Sequence, residues 1–400
     1  MTYSADSIKA DIDKAAEIAR LVEKYKIKQF DWDVEGINLK LQSLTDSDER
    51  QSFYMVANWL IHGGKNVFLQ DGNSMILRDG RLSEVLIYLK KVFPEINRIT
   101  SYGRAENLSR ISKEEYAELK EAGLTRIHSG FETGSDEVLK YINKGLTKEQ
   151  EITAGKNIKA GGIELSVYFM PGVGGLPLSK LNAEETADVI NQVNPDYLRI
   201  RTFTAKSGTE LYEDYNRGAE LARKYKHEVD KSQYIKEMDL CGENDQKANL
   251  CKEQKCNVDF YKGFQDNTSL SENLKDYIAG NIMIPCSDEE KLLEIRRVIE
   301  LAEGIDTVIV SDHIVNLLQT VEGRMVDDKE MLLRKIDEFL NLPDEAKKEF
   351  QLARRLGLVM ELEDVKKLDP GTLIEIKNSI KRIPEDEWEI RMNLLMERYV

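Results

Sequence analysis

The chain has 400 residues, 41% of them hydrophobic and 32% charged, enough for one large α/β domain with a smaller appendage. Its formal net charge of −15 speaks against a protein that coats nucleic acid, which needs a surplus of Lys and Arg on one face. No apolar run approaches the ~20 residues that span a bilayer, and the amino terminus carries no basic-then-apolar leader, so a cytoplasmic protein with no membrane partner is expected.

In chain order, the first predicted element is an amphipathic helix over about Ser4–Lys24. Residues 28–62 show no strand pattern and read as a helical insertion. Between residues 64 and 204 one rhythm recurs: a short β-rich run, a turn with Gly or polar residues, then a charged amphipathic helix. The β-rich runs are Asn66–Gln70, Arg98–Tyr102, Thr125–Phe131, Ile163–Met170 and Tyr197–Phe203, with helices near 81–92, 112–122, 147–160 and 181–193. Their spacing of about thirty residues is that of a βα unit whose crossover helix returns the chain to a parallel strand. Local signals agree: Ser112 to Glu115 has the form of a capping box, and Gly123 stands where a helix stops before the next strand.

Because the chain opens on a helix, the first strand of a regular series is expected to lie before Met1. Residues 220–286 break the rhythm and read as a polar, Cys-containing insertion or linker, and 287–400 as a helical C-terminal domain. The residues alone therefore predict an α/β fold, either a parallel barrel or a doubly wound sheet over residues 1–219, followed by that helical domain.

In parallel α/β proteins ligands collect at the C-terminal ends of the strands. Here those ends are polar: Asp71, Gly72 and Asn73 after the first run, Ser101 and Arg104 after the second, Glu132 after the third, Pro171 to Gly175 after the fourth. Such a rim suits a zwitterion and a ribose, since a carboxylate needs a cationic donor and an ammonium or a diol needs a carboxylate. Arg199 and Arg201 alternate with Ile200 and share a face, where an inward guanidinium requires an anionic partner. Each feature also has a plainer explanation. Asp-Gly-Asn is an ordinary tight turn, Arg104 a solvated charge, Val167 a core residue, and Lys144 a lysine facing a helix C-terminus. His313 reads as a structural histidine bonded through Asp312 or Ser311. By residues alone, an unrelated parallel-barrel enzyme taking a phosphorylated metabolite at the Gly-rich turn after residue 170 also fits.

The order of the segments VFLQDGNSMILR, ITSYGRA, LTRIHSGFETGSDEVLKYINKGLT, VYFMPGVGG and PDYLRIRTFTAKSGTELYE, with the later SDHIVNLLQTVEGRMVDDKEMLLRKIDEFLNL, resembles radical S-adenosylmethionine (radical SAM) enzymes of the coproporphyrinogen-oxidase-like and Elongator-like kind. The resemblance covers roughly 65–218 and 305–357. It implies an α/β fold, a partial (βα)6 TIM-type barrel of radical SAM type with its first strand missing and a helical C-terminal domain, with S-adenosylmethionine (SAM) as cofactor, an external electron donor, and an unknown, small-molecule or other, substrate. Position by position it implies that Asp71, Gly72 and Asn73 receive the methionyl ammonium. Ser101 and Arg104 would lie near the ribose and carboxylate, Glu132 at the ribose or ammonium, and Lys144 at the methionyl carboxylate. The backbone at Val167 would meet adenine, and Arg201 would meet SAM or substrate.

The family's C-x-x-x-C-x-x-C loop, whose thiolates hold a [4Fe–4S] cluster, is absent. A reading frame begun downstream of that loop is expected, the alternative being a degenerate relative that binds SAM or a nucleotide without catalysis. The cysteines present, Cys241, Cys251, Cys256 and Cys286, lack the family spacing. They read first as scattered thiols and only second as ligands of zinc or an auxiliary cluster.

Overall fold

The computed structural model describes residues 4–28, 31–70, 74–77, 80–224 and 284–399. Asp71, Gly72, Asn73 and the cysteines 241, 251 and 256 lie outside the described residues, as does most of the expected 220–286 insertion.

The strands, in chain order, are β1 (Lys26–Lys28), β2 (Asp31–Trp32), β3 (Asn66–Leu69), β4 (Arg98–Tyr102), β5 (Arg126–Glu132), β6 (Glu164–Phe169), β7 (Tyr197–Ile200), β8 (Val308–Val310) and β9 (Gly323–Arg324). β1 and β2 form an antiparallel pair, and the other seven form one sheet in the order β3-β4-β5-β6-β7-β8-β9. β3, β4 and β5 pair in parallel. Backbone bonds from Glu164 to Thr125 and from Met170 to Glu132 continue the parallel sense into β6, and those from Arg201 to Phe169 and Phe203 to Pro171 carry it past β7. β8 and β9 pair antiparallel, Ile309 opposing Gly323. Sequential strands that are spatial neighbours, joined by helices, are what a right-handed βα series produces.

The five β-rich runs of the sequence are thus strands, and the expected helices between them are Arg81–Val92, Lys113–Glu121, Lys148–Ala160 and Gly175–Val193, joined by the short helices Ala105–Leu108 and Asp136–Tyr141. Side chains fix several helix starts. Ser112 with Glu115, Thr147 with Gln150 and Ser287 with Glu290 each close a capping box, satisfying two orphan N–H groups apiece. Four short strands, β1, β2, β8 and β9, went unread in the sequence. β2 interrupts the segment taken as a helical insertion, whose remainder is the helices Val34–Ser43 and Ser47–Ile61. β8 and β9 fall in the segment taken as helical after residue 287. The helices there are Asp288–Leu301, Met325–Leu340, Asp344–Arg355, Pro370–Arg382 and Trp388–Met396.

The chain forms two compact units. The first holds residues 1–131, 145–168 and 189–198, the second 132–144, 169–188 and 199–400. In the first unit the N-terminal helix Ala5–Val22 is tied to Arg81–Val92 by Tyr88 donating to Asp13 at 2.7 Å and by the Lys9–Glu84 pair. Val22, Ile37, Phe53 and Ala57 form a small core among the N-terminal helices. In the second, Val138, Val173, Phe203, Ala205 and Tyr215 pack together, with Tyr141, Met170 and Leu178 at their edge. No helix among the described residues is long and apolar enough to cross a membrane.

Candidate functional site

In the first unit the register divides the sheet residues into two rows. Phe68 opposes Thr100, Thr100 opposes Arg126, and Tyr102 opposes His128, so these five side chains project from one face. The other row, with Ile99, Ser101, Ile127, Leu165, Val167 and Leu198, is almost entirely buried. Two predicted residues fall in that buried row. Ser101 is fully enclosed and its hydroxyl donates to the Tyr102 carbonyl at 3.1 Å. The Val167 side chain is core. Arg104 is exposed and starts the short helix Ala105–Leu108.

The opposite row was missed in the sequence and is rich in rings. Phe68 and Tyr102 lie 4.7 Å apart, His128 lies 5.8 Å from Phe68 and 5.6 Å from Tyr102, and Tyr168 lies 6.0 Å from His128. The Tyr102 and Tyr168 hydroxyls approach to 3.4 Å. Further along, the Arg126 guanidinium lies 4.2 Å over Tyr197 and pairs with Glu164 at 2.7 Å. The signal was present as alternation: RITSY, TRIHSGF and ELSVYF each interleave apolar residues with polar or aromatic ones.

In the second unit, Glu132 ends β5 with a φ of +69°, a left-handed backbone that a residue with a Cβ adopts at a cost of roughly 1–2 kcal/mol. Such strain in a non-glycine residue is held by its surroundings and concentrates at ligand sites. Here the Glu132 carbonyl accepts from the Met170 N–H, and its carboxylate takes a 2.8 Å hydrogen bond from Lys144 Nζ. Both side chains keep partial exposure. Lys144 is delivered by a single turn: helix Asp136–Tyr141 ends, Asn143 turns left-handed, and the Lys144 N–H bonds back to the Leu139 carbonyl. Glu132 and Lys144, each expected at SAM, are thus hydrogen-bonded to one another in the structure.

The Gly-rich turn is also anchored in this unit. Gly172 has a φ of +84°, and a Cβ there would press on the Lys291 side chain at 3.0 Å. Its N–H donates to Glu294 Oε2 at 2.9 Å, and Asn182 Nδ2 donates to the same oxygen at 2.7 Å. Burial drives the Glu294 carboxyl up to about 7, against the lowering effect of hydrogen bonds from Ser179, Gly172 and Asn182 and of the Lys291 charge. Cys286 is buried beside it, its Sγ 3.8 Å from Glu294 Oε1, and burial pushes its thiol well above the usual range. Among the described residues no three His, Cys, Asp or Glu side chains converge to hold a metal ion. A cluster cradle is thus not part of what the described residues offer.

Arg199 and Arg201 find their anion in Asp312. Arg199 Nη1 meets Oδ2 at 2.9 Å, and Arg201 Nη1 meets Oδ1 at 2.8 Å. Burial raises the Asp312 carboxyl, but the hydrogen bonds from Arg201 and Arg199 outweigh it and hold the group below its ordinary value. His313 does not bond through Asp312 or Ser311 as the sequence suggested. The Ser311 hydroxyl donates instead to the Leu318 carbonyl, and His313 Nδ1 is buried without a hydrogen-bond partner among the described residues. Burial, and then the Arg201 charge, lower its basicity.

Residues 47–185 match the Radical SAM superfamily. A tRNA uridine(34) acetyltransferase of Methanocaldococcus jannaschii is 29% identical over 108 residues, 26% of this chain and 20% of that protein. An uncharacterized methyltransferase of Pyrococcus horikoshii is 30% identical over 95 residues, 24% of this chain and 20% of that protein. The chain thus spans about a fifth of the length of the curated relatives it matches. Among solved structures, Elp3 of Methanocaldococcus infernus with an N-terminal deletion is similar at 20% identity and a TM-score of 0.34, over 42% of this chain and 45% of that one. Coproporphyrinogen III oxidase of Escherichia coli, a radical SAM enzyme, is similar at 16% identity and a TM-score of 0.30, over 35% and 32%.

Proposed function

Taking as premise that the chain is a member of the radical SAM superfamily through residues 47–185, we propose that it binds S-adenosylmethionine at the C-terminal ends of a partial barrel, as part of an enzyme acting on an unidentified substrate. The observation that carries this reading is the half-buried Glu132–Lys144 pair, 2.8 Å apart, on a strand tip held in a left-handed backbone. The two side chains offer one carboxylate and one ammonium, which is the complement of an α-amino acid. Lys144 would turn from Glu132 to a ligand carboxylate, and Glu132 would receive the ligand's ammonium or a ribose hydroxyl. Bound there, SAM is the source of the family's radical chemistry. Asp71, Gly72, Asn73, Ser101, Arg104 and Val167 carry no part of this reading, which rests on the second unit. Arg201 is engaged with Asp312 and carries no part of this reading.

The described residues do not fit an iron–sulfur cluster, so no step is assigned to one here. The second reading, a SAM or nucleotide binder without catalysis, shares the same pocket. A nucleic-acid substrate, which the names of the Methanocaldococcus relatives suggest, has to contend with a net charge of −15. We therefore favour a small molecule or a single exposed group.

Calorimetric titration of this chain with SAM tests the pocket directly. Saturable binding is expected, weakened about tenfold or more by Glu132→Gln and by Lys144→Ala, each of which removes a charged hydrogen bond. No heat at millimolar SAM removes both readings.

A further inference from the structure

We propose that the row of rings on one face of the first unit's sheet binds a small, uncharged, planar heteroaromatic ring. That this ring belongs to the enzyme's substrate rests on the SAM reading; its binding does not, because the row lies wholly in the first unit, which contains neither Glu132 nor Lys144. The two faces of the same strands are built differently. One is closed and aliphatic, with Ile99, Ile127, Leu165, Val167 and Leu198 each at most 1% exposed, and a hydrophobic core asks nothing more of a sheet. The other carries Phe68, Tyr102, His128 and Tyr168 and stays open: Tyr102 is 41% exposed, and Phe68 and Tyr168 are half-buried. Phe68 and Tyr168 each lie near parallel to His128, at 12° and 27°. Tyr102 is tilted 51° from Phe68 and 46° from His128, so its ring stands as a wall beside that shelf. A shelf of parallel rings attracts another planar ring by stacking, tolerant of the ring's exact identity.

The register adds polar groups to the same face. Glu164 pairs with Arg126 across β5 and β6 and Tyr168 meets His128, so Ser166, midway between Glu164 and Tyr168 on β6, shares their face. Ser166 is fully buried, and its hydroxyl has no hydrogen-bond partner among the described residues. A buried hydroxyl left that way costs free energy, which a heteroatom of a bound ring relieves, since Ser both donates and accepts. The Tyr102 and Tyr168 hydroxyls, 3.4 Å apart, supply further polar positions. The Arg126 guanidinium on this face is engaged by Glu164 at 2.7 Å and by the Tyr197 ring at 4.2 Å. A phosphate or carboxylate therefore gains little from it, and the ligand that the row complements is flat, neutral and polar at its edge.

Indole, its carbocyclic twin indene and the non-planar cyclohexanol are titrated separately into the chain while the histidine ring resonances are followed by NMR. The chain has four histidines, and the His128 signal is identified by its loss in His128→Asn. Indole is expected to shift His128 saturably, indene to do so more weakly, and cyclohexanol to leave it in place. Phe68→Leu and Tyr102→Leu should each weaken indole about tenfold, whereas Tyr102→Phe, which keeps the ring, should bind indole nearly as the parent does. Ser166→Ala should weaken indole severalfold and leave indene unchanged, a split that a loosened fold does not produce. Unmoved signals of the other histidines certify that each variant is folded. The proposal is overturned if indole gives no saturable shift of His128, if cyclohexanol shifts it as indole does, if the leucine variants bind indole as the parent does, or if Ser166→Ala fails to separate indole from indene. Glu132→Gln, which weakens SAM, leaves the indole titration unchanged, so loss of the SAM reading and loss of this one are separately visible.

Discussion

A single carboxylate, Glu294, couples the Gly-rich turn to pH. Its folded-state value of about 7 lies above the ordinary 4.5 because burial disfavours the anion. Between those values the folded chain holds a proton that the unfolded chain releases. Stability from this group is therefore present in acid and declines as pH rises from about 4.5 to about 7, by on the order of 3 kcal/mol. Glu294→Gln should flatten the dependence of the melting temperature on pH across that window, measured by calorimetry from pH 4.5 to 8. An unchanged slope would show that another group carries it. Glu132 gives a second forecast at this scale. Glycine accepts a φ of +69° without strain, so Glu132→Gly should leave the melting temperature equal or higher while SAM binding is lost. Glu132→Ala keeps the strain, loses the Lys144 pair and should lower both.

Among the elements, the β7 and β8 region depends on charge buried under the 311–322 loop. Removing one member of the Asp288–Arg355 pair leaves an enclosed, unmatched charge and should cost about 3–5 kcal/mol, read as a lower urea midpoint for Arg355→Met. The double change Asp288→Leu with Arg355→Met should recover part of that loss; a double variant no more stable than the single one would refute the account. The same region shows where sequence reading stops. β3 to β7 were legible because each is a β-rich run followed, within a fixed interval, by a capped amphipathic helix. β8 and β9 span three and two residues, too few for a period of two to show, and exist only because the sheet supplies a neighbour. Glu132 and Lys144 lie twelve positions apart across one short helix, close enough for motif order to suggest the pair. Asp312 meets Arg201 across 111 positions, a contact set by tertiary packing and invisible to local pattern. The Tyr102, His128 and Tyr168 row was visible in the alternation, yet Ser101 and Val167 drew the attention because the family resemblance pointed to them.

At the scale of the molecule, the chain passes between the two compact units at 131/132, 144/145, 168/169, 188/189 and 198/199. Neither unit is continuous in sequence, so the folding of each depends on segments that flank the other. Heating should therefore show one calorimetric transition with equal van't Hoff and calorimetric enthalpies, and two resolved peaks would contradict this. The net charge of −15 has a further consequence at this scale. At low salt the overall field repels an approaching anion, and moderate salt, with a Debye length of about 10 Å at 0.1 M, quenches that repulsion. Encounter of an anionic molecule with this protein is thus expected to accelerate on adding salt, and stopped-flow mixing across an ionic-strength series would display the rise.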